Sequence, residues 1–158
     1  ASIHGLNPNA VIKIKFEIDT NPPAGAEYQY LYSINPAPYR VKLYDVPSLF
    51  AGKIHAILYR EYKNRVKGRD YYDFIFLVKK GVGVNIDYIK NKIQRSQPNI
   101  DLSKITIDSI KTMLIDKIRK IDLKKANEDV EPFVHYFNDD RILKLDELLE
   151  CVSKLSAA

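Results

Sequence analysis

Arg40-Val41-Lys42-Leu43-Tyr44-Asp45-Val46-Pro47-Ser48-Leu49-Phe50-Ala51-Gly52-Lys53-Ile54-His55-Ala56 is the stretch on which the fold turns. Residues 40–46 read as a strand. Pro47 then suits the first turn of a helix, where its missing N–H costs nothing, and Asp45 stands where a cap belongs. The helix is expected to run to about Tyr62. Working upstream, residues 28–34 form another strand, with Tyr28, Tyr30, Tyr32 and Ile34 on one side, and residues 35–38 make the turn between the two. Further upstream, residues 11–19 read as the first strand. There Ile12, Ile14, Phe16 and Ile18 alternate with Lys13, Lys15, Glu17 and Asp19, so the Ile/Phe side is expected to face the core. Thr20-Asn21-Pro22-Pro23 stops it.

Downstream, residues 64–68 break the helical pattern, and a second helix begins near Arg69 and runs through Phe74, Ile75, Leu77 and Val78. Gly81-Val82-Gly83 ends it. No strand signal follows. Residues 86–95 look helical with Asn85 as cap, and Pro98 closes them. Ser103 is expected to cap a segment with Ile107, Ile110, Leu114 and Ile118 on one stripe. Further helices are expected at residues 123–134 and 142–155, separated by a turn at Asn138-Asp139-Asp140. The expected fold class is α+β, a partial mixed sheet with packed helices over residues 1–83 followed by an all-helical bundle over residues 84–158.

Of the 158 residues, 46% are hydrophobic, enough for a core and against disorder. No apolar run approaches the roughly 18 residues of a membrane helix, and residues 1–9 lack the basic start and apolar run of a signal peptide. The absence of an initiator Met fits a numbering that begins inside a longer protein. One cysteine, Cys151, excludes an internal disulfide and fits a reducing cytosol, so a cytoplasmic location is expected. Residues 1–80 carry 12 Lys/Arg against 7 Asp/Glu, while residues 81–158 carry 13 of each. The excess of positive charge lies in the first half, much of it in Arg60, Lys63, Arg65, Lys67 and Arg69. Such a cluster attracts phosphate, on a nucleotide or on RNA; a solvated helix end is the alternative.

Several residues could carry chemistry. Alternation puts Glu17 and Asp19 on one face, about 7 Å apart, where they need either Lys13 and Lys15 or a divalent metal beside them. Lys53 and Arg60 are two helical turns apart and share a face. Lys53 either snorkels to water or offers a compact charge to a phosphate. Gly68 permits a sharp entry to the second helix, and Asp70 in its first turn is favoured by the helix dipole. Asp73, one turn on between Tyr72 and Phe74, needs a partner, with Lys53, Arg60 and Arg69 as candidates. His4, His55 and His135 have no metal-ligand spacing, and neither a phosphate loop of the Walker type nor a nucleophile elbow is present.

Taken together, Lys13 to Asn21, then Leu49-Phe50-Ala51-Gly52-Lys53-Ile54-His55-Ala56, Arg60, Lys67-Gly68-Arg69-Asp70-Tyr71-Tyr72-Asp73, and the later Lys124-Lys125-Ala126-Asn127-Glu128-Asp129-Val130-Glu131-Pro132-Phe133 resemble the AbiEii/AbiGii toxin family. The resemblance implies a DNA-polymerase-β-like nucleotidyltransferase core followed by a helical domain, acting as the toxin of bacterial toxin–antitoxin and phage-defence (abortive infection) systems. It implies transfer of a nucleotidyl group from a nucleoside triphosphate to an acceptor, with RNA a candidate, and Mg2+ or Mn2+ in the intact protein; no cofactor is expected to be needed for this chain to fold. Lys53, Asp73 and Asp70 would be catalytic, and Lys53, Arg60, Arg69 and Lys67 would bind the nucleotide. Glu17 or Asp19 would offer a carboxylate to metal. A cognate antitoxin is an expected partner, and a membrane is not. The family's Gly-Ser turn followed by Asp-x-Asp is missing. The chain is therefore expected to be the C-terminal portion of such an enzyme, inactive alone and prone to self-association through its uncovered sheet edge. A non-catalytic RNA- or protein-binding module and a metal-dependent nuclease using Glu17, Asp19 and a lysine are the alternatives.

Overall fold

The computed structural model describes residues 15–60, 66–134 and 143–158. The order of elements is β1 (Tyr28–Ser33), β2 (Tyr39–Tyr44), α1 (Val46–Tyr59), α2 (Gly68–Lys79), α3 (Ile86–Ser96), α4 (Ile107–Ile118), α5 (Leu123–Val134) and α6 (Leu145–Lys154), with a short 3-10 turn at Leu102–Lys104. The fold class is α+β. Among the described residues the sheet is one antiparallel ribbon, in which Tyr28 faces Tyr44 and Ser33 faces Tyr39.

The start of α1 follows from its sequence. The Asp45 carboxylate accepts from the Ser48 N–H at 2.9 Å, and Pro47 sits in the first turn. Phe50, Ala51, Ile54 and Ile57 then recur at helical spacing and are all buried. In α2 the matching stripe is Tyr71, Phe74, Ile75 and Val78, and the rings of Phe50 and Phe74 meet at 5.9 Å between centroids. Gly81 ends α2 with φ of 70°, which a side chain would resist. Asn85 caps α3 by accepting from the Tyr88 N–H at 2.9 Å. Helix α1 packs on α2, α3 and α4, and α2 packs on α5 and α6. One cluster of buried side chains runs from Phe50 to Leu155 through both halves of the chain. Full burial of one such residue, as for Phe50 or Leu114, contributes about 1.5–3 kcal/mol. Cys151 is buried within it.

A buried hydroxyl joins the ribbon to the helices. Ser48 accepts from the Glu27 N–H at 2.9 Å and from the Asn85 side-chain amide at 3.0 Å. The same amide reaches the Gly25 carbonyl at 3.0 Å. The starts of α1 and α3 and the entry to β1 therefore meet at one point.

Several expectations need correction. Residues 15–19 form no strand, and Phe16 and Ile18, expected in the core, are 87% and 80% exposed. Alternation supplies the pattern of a strand, but pairing needs a neighbour, and none of the described residues provides one. The first long helix stops at Tyr59, where Arg60 takes an extended conformation. Ser103 lies in the 3-10 turn, and Thr106 caps α4 instead, through a reciprocal pair with Ser109. The last helix starts at Leu145 rather than 142. Gly68 has no unusual backbone angle; its reason is contact, since a Cβ there would lie 1.8 Å from the Ala126 carbonyl oxygen of α5. Residues 11–14 of the expected first strand, residues 61–62 of the first helix, Lys63, Arg65, His4, His135 and the turn at Asn138-Asp139-Asp140 lie outside the described residues. Among the described residues no helix is long and apolar enough to cross a membrane.

Candidate functional site

Helix α1 carries Lys53 two turns in, and the packing of α1 on α2 sets it against the first turns of α2. Its ammonium lies 2.5 Å from the Asp73 carboxylate and 3.5 Å from that of Asp70. Asp70 is nearly buried, its side chain 5% exposed, and also meets the Lys67 ammonium at 3.7 Å. Of the three candidate partners for Asp73, the structure thus selects Lys53. Partial burial opposes the charge on Lys53, but Asp73 and Asp70 outweigh it and hold its pKa above the ordinary lysine value. The group therefore stays an ammonium at neutral pH and can act as a fixed charge rather than as a base.

These residues form one wall of an open cleft of about 390 Å³, with Arg69 and Tyr72 beside them. The opposite wall is apolar, made by Val130, Phe133 and Val134 of α5. Arg69 is fastened to that helix. Its backbone N–H and its Nε both donate to Asp129, at 3.3 and 3.2 Å, and its guanidinium lies 4.5 Å from the centre of the Phe133 ring. Asp129 and Phe133 had no role in the reading of individual residues. Their only signal was their place in the Lys124–Phe133 stretch. Arg60 does not line this cleft. It faces a small pocket of about 60 Å³ behind Lys67 and Asp70, lined also by Ala56, Ile57, Val66, Tyr71 and Lys117. Burial pushes the Tyr71 phenol up to about 12, with the charge of Asp70 adding to the effect. Lys117, on α4, carried no sequence signal.

Glu17 and Asp19 sit elsewhere. Glu17 pairs with Lys15. Asp19 reaches Arg95 of α3 at 3.5 Å and accepts from the Asn21 N–H at 3.1 Å. Neither lines the cleft. Among the described residues no group of three or more His, Cys, Asp or Glu could hold a metal ion. Asp70 and Asp73 flank an ammonium, and a second cation between them would be repelled by it, so the cleft does not fit a metal by itself.

His55, on α1, stacks on Tyr59 with 5.1 Å between ring centres, and its Nε2 lies 2.9 Å from the Ser96 hydroxyl. Burial, aided by the charges of Lys92 and Arg60, lowers its pKa from 6.5 to about 4. The unfolded chain therefore binds more protons between these two values. Stability is full above 6.5 and falls as the pH drops towards 4. Urea unfolding at neutral pH and midway between the two values is expected to show a smaller drop in His55→Gln than in the parent. Equal drops in both would count against this assignment.

The comparisons with known proteins bear on the whole chain. The model of the family described as nucleotidyl transferase AbiEii toxin, type IV TA system, matches residues 2–150. No curated protein and no solved structure matches the chain.

Proposed function

Since the chain belongs to the AbiEii family of nucleotidyl transferase toxins of type IV toxin–antitoxin systems, whose model spans residues 2–150, we propose that the cleft between α1, α2 and α5 receives the triphosphate of a nucleotide. The observation that carries this reading is the meeting of Lys53, Lys67, Asp70 and Asp73 at one open cleft. Asp73 and Asp70 hold the Lys53 ammonium in place. Lys67 makes only a long contact to a carboxylate that Lys53 shares, so of the cations lining the cleft it is the least committed to the protein. Arg69, locked to Asp129, closes one end, and Arg60 adds positive charge behind. The apolar wall of Val130 and Phe133 gives a base something to lie against.

In the intact protein the acceptor hydroxyl oxygen would bond to the α-phosphorus, giving up its proton to water, while the bond from that phosphorus to the bridging β-phosphate oxygen breaks, releasing pyrophosphate. Lys53 and Lys67 would neutralise charge on the phosphates as it shifts. The acceptor is proposed to be RNA, the setting the bacterial cytosol, and the regulator a cognate antitoxin. Mg2+ or Mn2+ would supply positive charge at the attacking and leaving oxygens. Glu17 or Asp19 would be the carboxylate this chain offers it, but neither lines the cleft and the cleft's own acids are committed to Lys53, so the described residues place no metal at the triphosphate. The 158 residues contain no Asp-x-Asp, and we propose that the chain alone binds a triphosphate without turning it over. Residues 1–83 are read as the C-terminal half of a nucleotidyltransferase-like domain and residues 84–158 as its helical companion.

Calorimetric titration of the chain with each nucleoside triphosphate tests the reading. Loss of one charged hydrogen bond to phosphate is worth about 1.5–3 kcal/mol, so Lys67→Ala is expected to weaken binding about tenfold or more. Lys154→Ala, whose side chain pairs with Glu150 on α6, is expected to bind as the parent does. Absence of triphosphate binding to the parent, or equal affinity in Lys67→Ala, would refute it.

A further inference from the structure

The β1–β2 ribbon presents two unlike faces. Its register sets Tyr28 opposite Tyr44, Tyr30 opposite Lys42 and Tyr32 opposite Arg40, and alternation puts these six side chains on one side. The Arg40 guanidinium lies 4.6 Å from the centre of the Tyr30 ring, and the Lys42 ammonium 4.0 Å from that of Tyr28. Tyr28 and Tyr44 stack at 5.1 Å, and the stack continues to Tyr88 of α3 at 5.7 Å. Tyr30 and Tyr32 are 54% and 73% exposed. From residue 28 to residue 44 there are five tyrosines, one arginine, one lysine and no acid. Among the described residues neither Arg40 nor Lys42 pairs with a carboxylate. The other face carries Leu31, Val41 and Leu43 and no charge.

Here aromatic faces and unneutralised cations are interleaved at the spacing of about 7 Å between same-side residues of a strand. We propose that this face of the ribbon binds a single-stranded polynucleotide, stacking bases on Tyr30 and Tyr32 and meeting phosphates with Arg40 and Lys42. Every base has a π-face, so such a platform tolerates sequence. A duplex, whose bases already stack on one another, offers it little. Protein docking would draw on the opposite, uncharged face instead. The proposal does not depend on the triphosphate cleft, and its test contains no triphosphate.

Fluorescence anisotropy of the full chain with a short labelled RNA strand, the same sequence as a DNA strand, and the corresponding duplex decides it. Both single strands are expected to bind, and the duplex at least tenfold more weakly. Stacking energies of about 1–3 kcal/mol per base imply a loss of about tenfold or more in Tyr30→Ala/Tyr32→Ala. Tyr30→Phe/Tyr32→Phe keeps the rings and is expected to bind within about twofold of the parent, by the same reasoning. In Arg40→Ala/Lys42→Ala, the slope of log K against log salt is expected to fall by about 1.4, from 0.7 for each of two phosphates. Leu31→Ser on the other face should change nothing. The proposal is overturned if the duplex binds as tightly as the strands, if the double alanine variant keeps its affinity, or if Leu31→Ser weakens binding as much.

Discussion

Lys53→Ala is expected to lower nucleotidyl transfer by the intact protein by about 10²–10³-fold, the loss seen when one pre-positioned hydrogen-bond donor is removed from a reacting centre. Two features make the effect this large. The ammonium is held by two carboxylates, at 2.5 and 3.5 Å, so it needs no reorganisation when charge develops on the phosphates. Its pKa is raised by those same acids, so the charge is always present. Lys53→Arg is not expected to restore activity, because a planar fork cannot replace a compact charge between two acids. The fold should survive. Orphaning a buried charge costs about 3–5 kcal/mol, but Asp70 keeps Lys67 at 3.7 Å and Asp73 is 41% exposed, so the cost here is smaller. A transfer assay run beside urea unfolding separates the two effects. Activity within threefold of the parent, which is under about 0.7 kcal/mol of barrier, would remove Lys53 from the machinery.

The second large effect falls on stability. Gly68→Ala places a methyl group 1.8 Å from the Ala126 carbonyl oxygen and 2.7 Å from its carbon, both backbone atoms. Relief requires α5 to slide away from the start of α2, which would also pull Asp129 from Arg69. Helix propensity favours alanine by about 1 kcal/mol at most, whereas overpacking costs about 1–3 kcal/mol and sometimes more. The clash wins, and a net loss of about 1–2 kcal/mol is expected from these two terms. For a chain of this size that lowers the melting temperature by about 2–8 °C. Gly52→Ala, in α1 beside Lys53, is the internal comparison. No atom lies within 4 Å of its added Cβ, so it is expected to be neutral or slightly stabilising. If the two variants melt alike, the tight docking of α2 on α5 is wrong.

Legibility in the sequence followed the range of the interactions involved. The start of α1 was readable because Asp45, Pro47 and Ser48 settle it within four residues. Asn85 and Gly81 were readable for the same reason. Ser103 was mistaken for a cap because a single hydroxyl before an apolar stripe satisfies the rule. The actual cap, Thr106, is chosen by Ser109 returning the bond to its N–H. Residues 15–19 misled because alternation says which side chains share a face, not whether anything covers that face. The same gap hid the exposure of the tyrosines on the ribbon. At the cleft, the place of Asp73 between Tyr72 and Phe74 implied a partner but could not choose among three cations. Asp129 was invisible because its partner, Arg69, is 60 residues away. Nothing local marks a carboxylate that will become buried against another helix.

The Ser48 hydroxyl, receiving the Glu27 N–H and the Asn85 amide, has a mechanical corollary. The stem of the ribbon is welded to the base of α1 at Ser48, and Lys53 stands on the same rod about 7.5 Å further along. Ribbon and lysine therefore have no joint between them. A strand gripped at one end of this assembly would be offered to the other at a set offset, as along the edge of a ruler, and the choice of which atom arrives at the phosphates would be made by length.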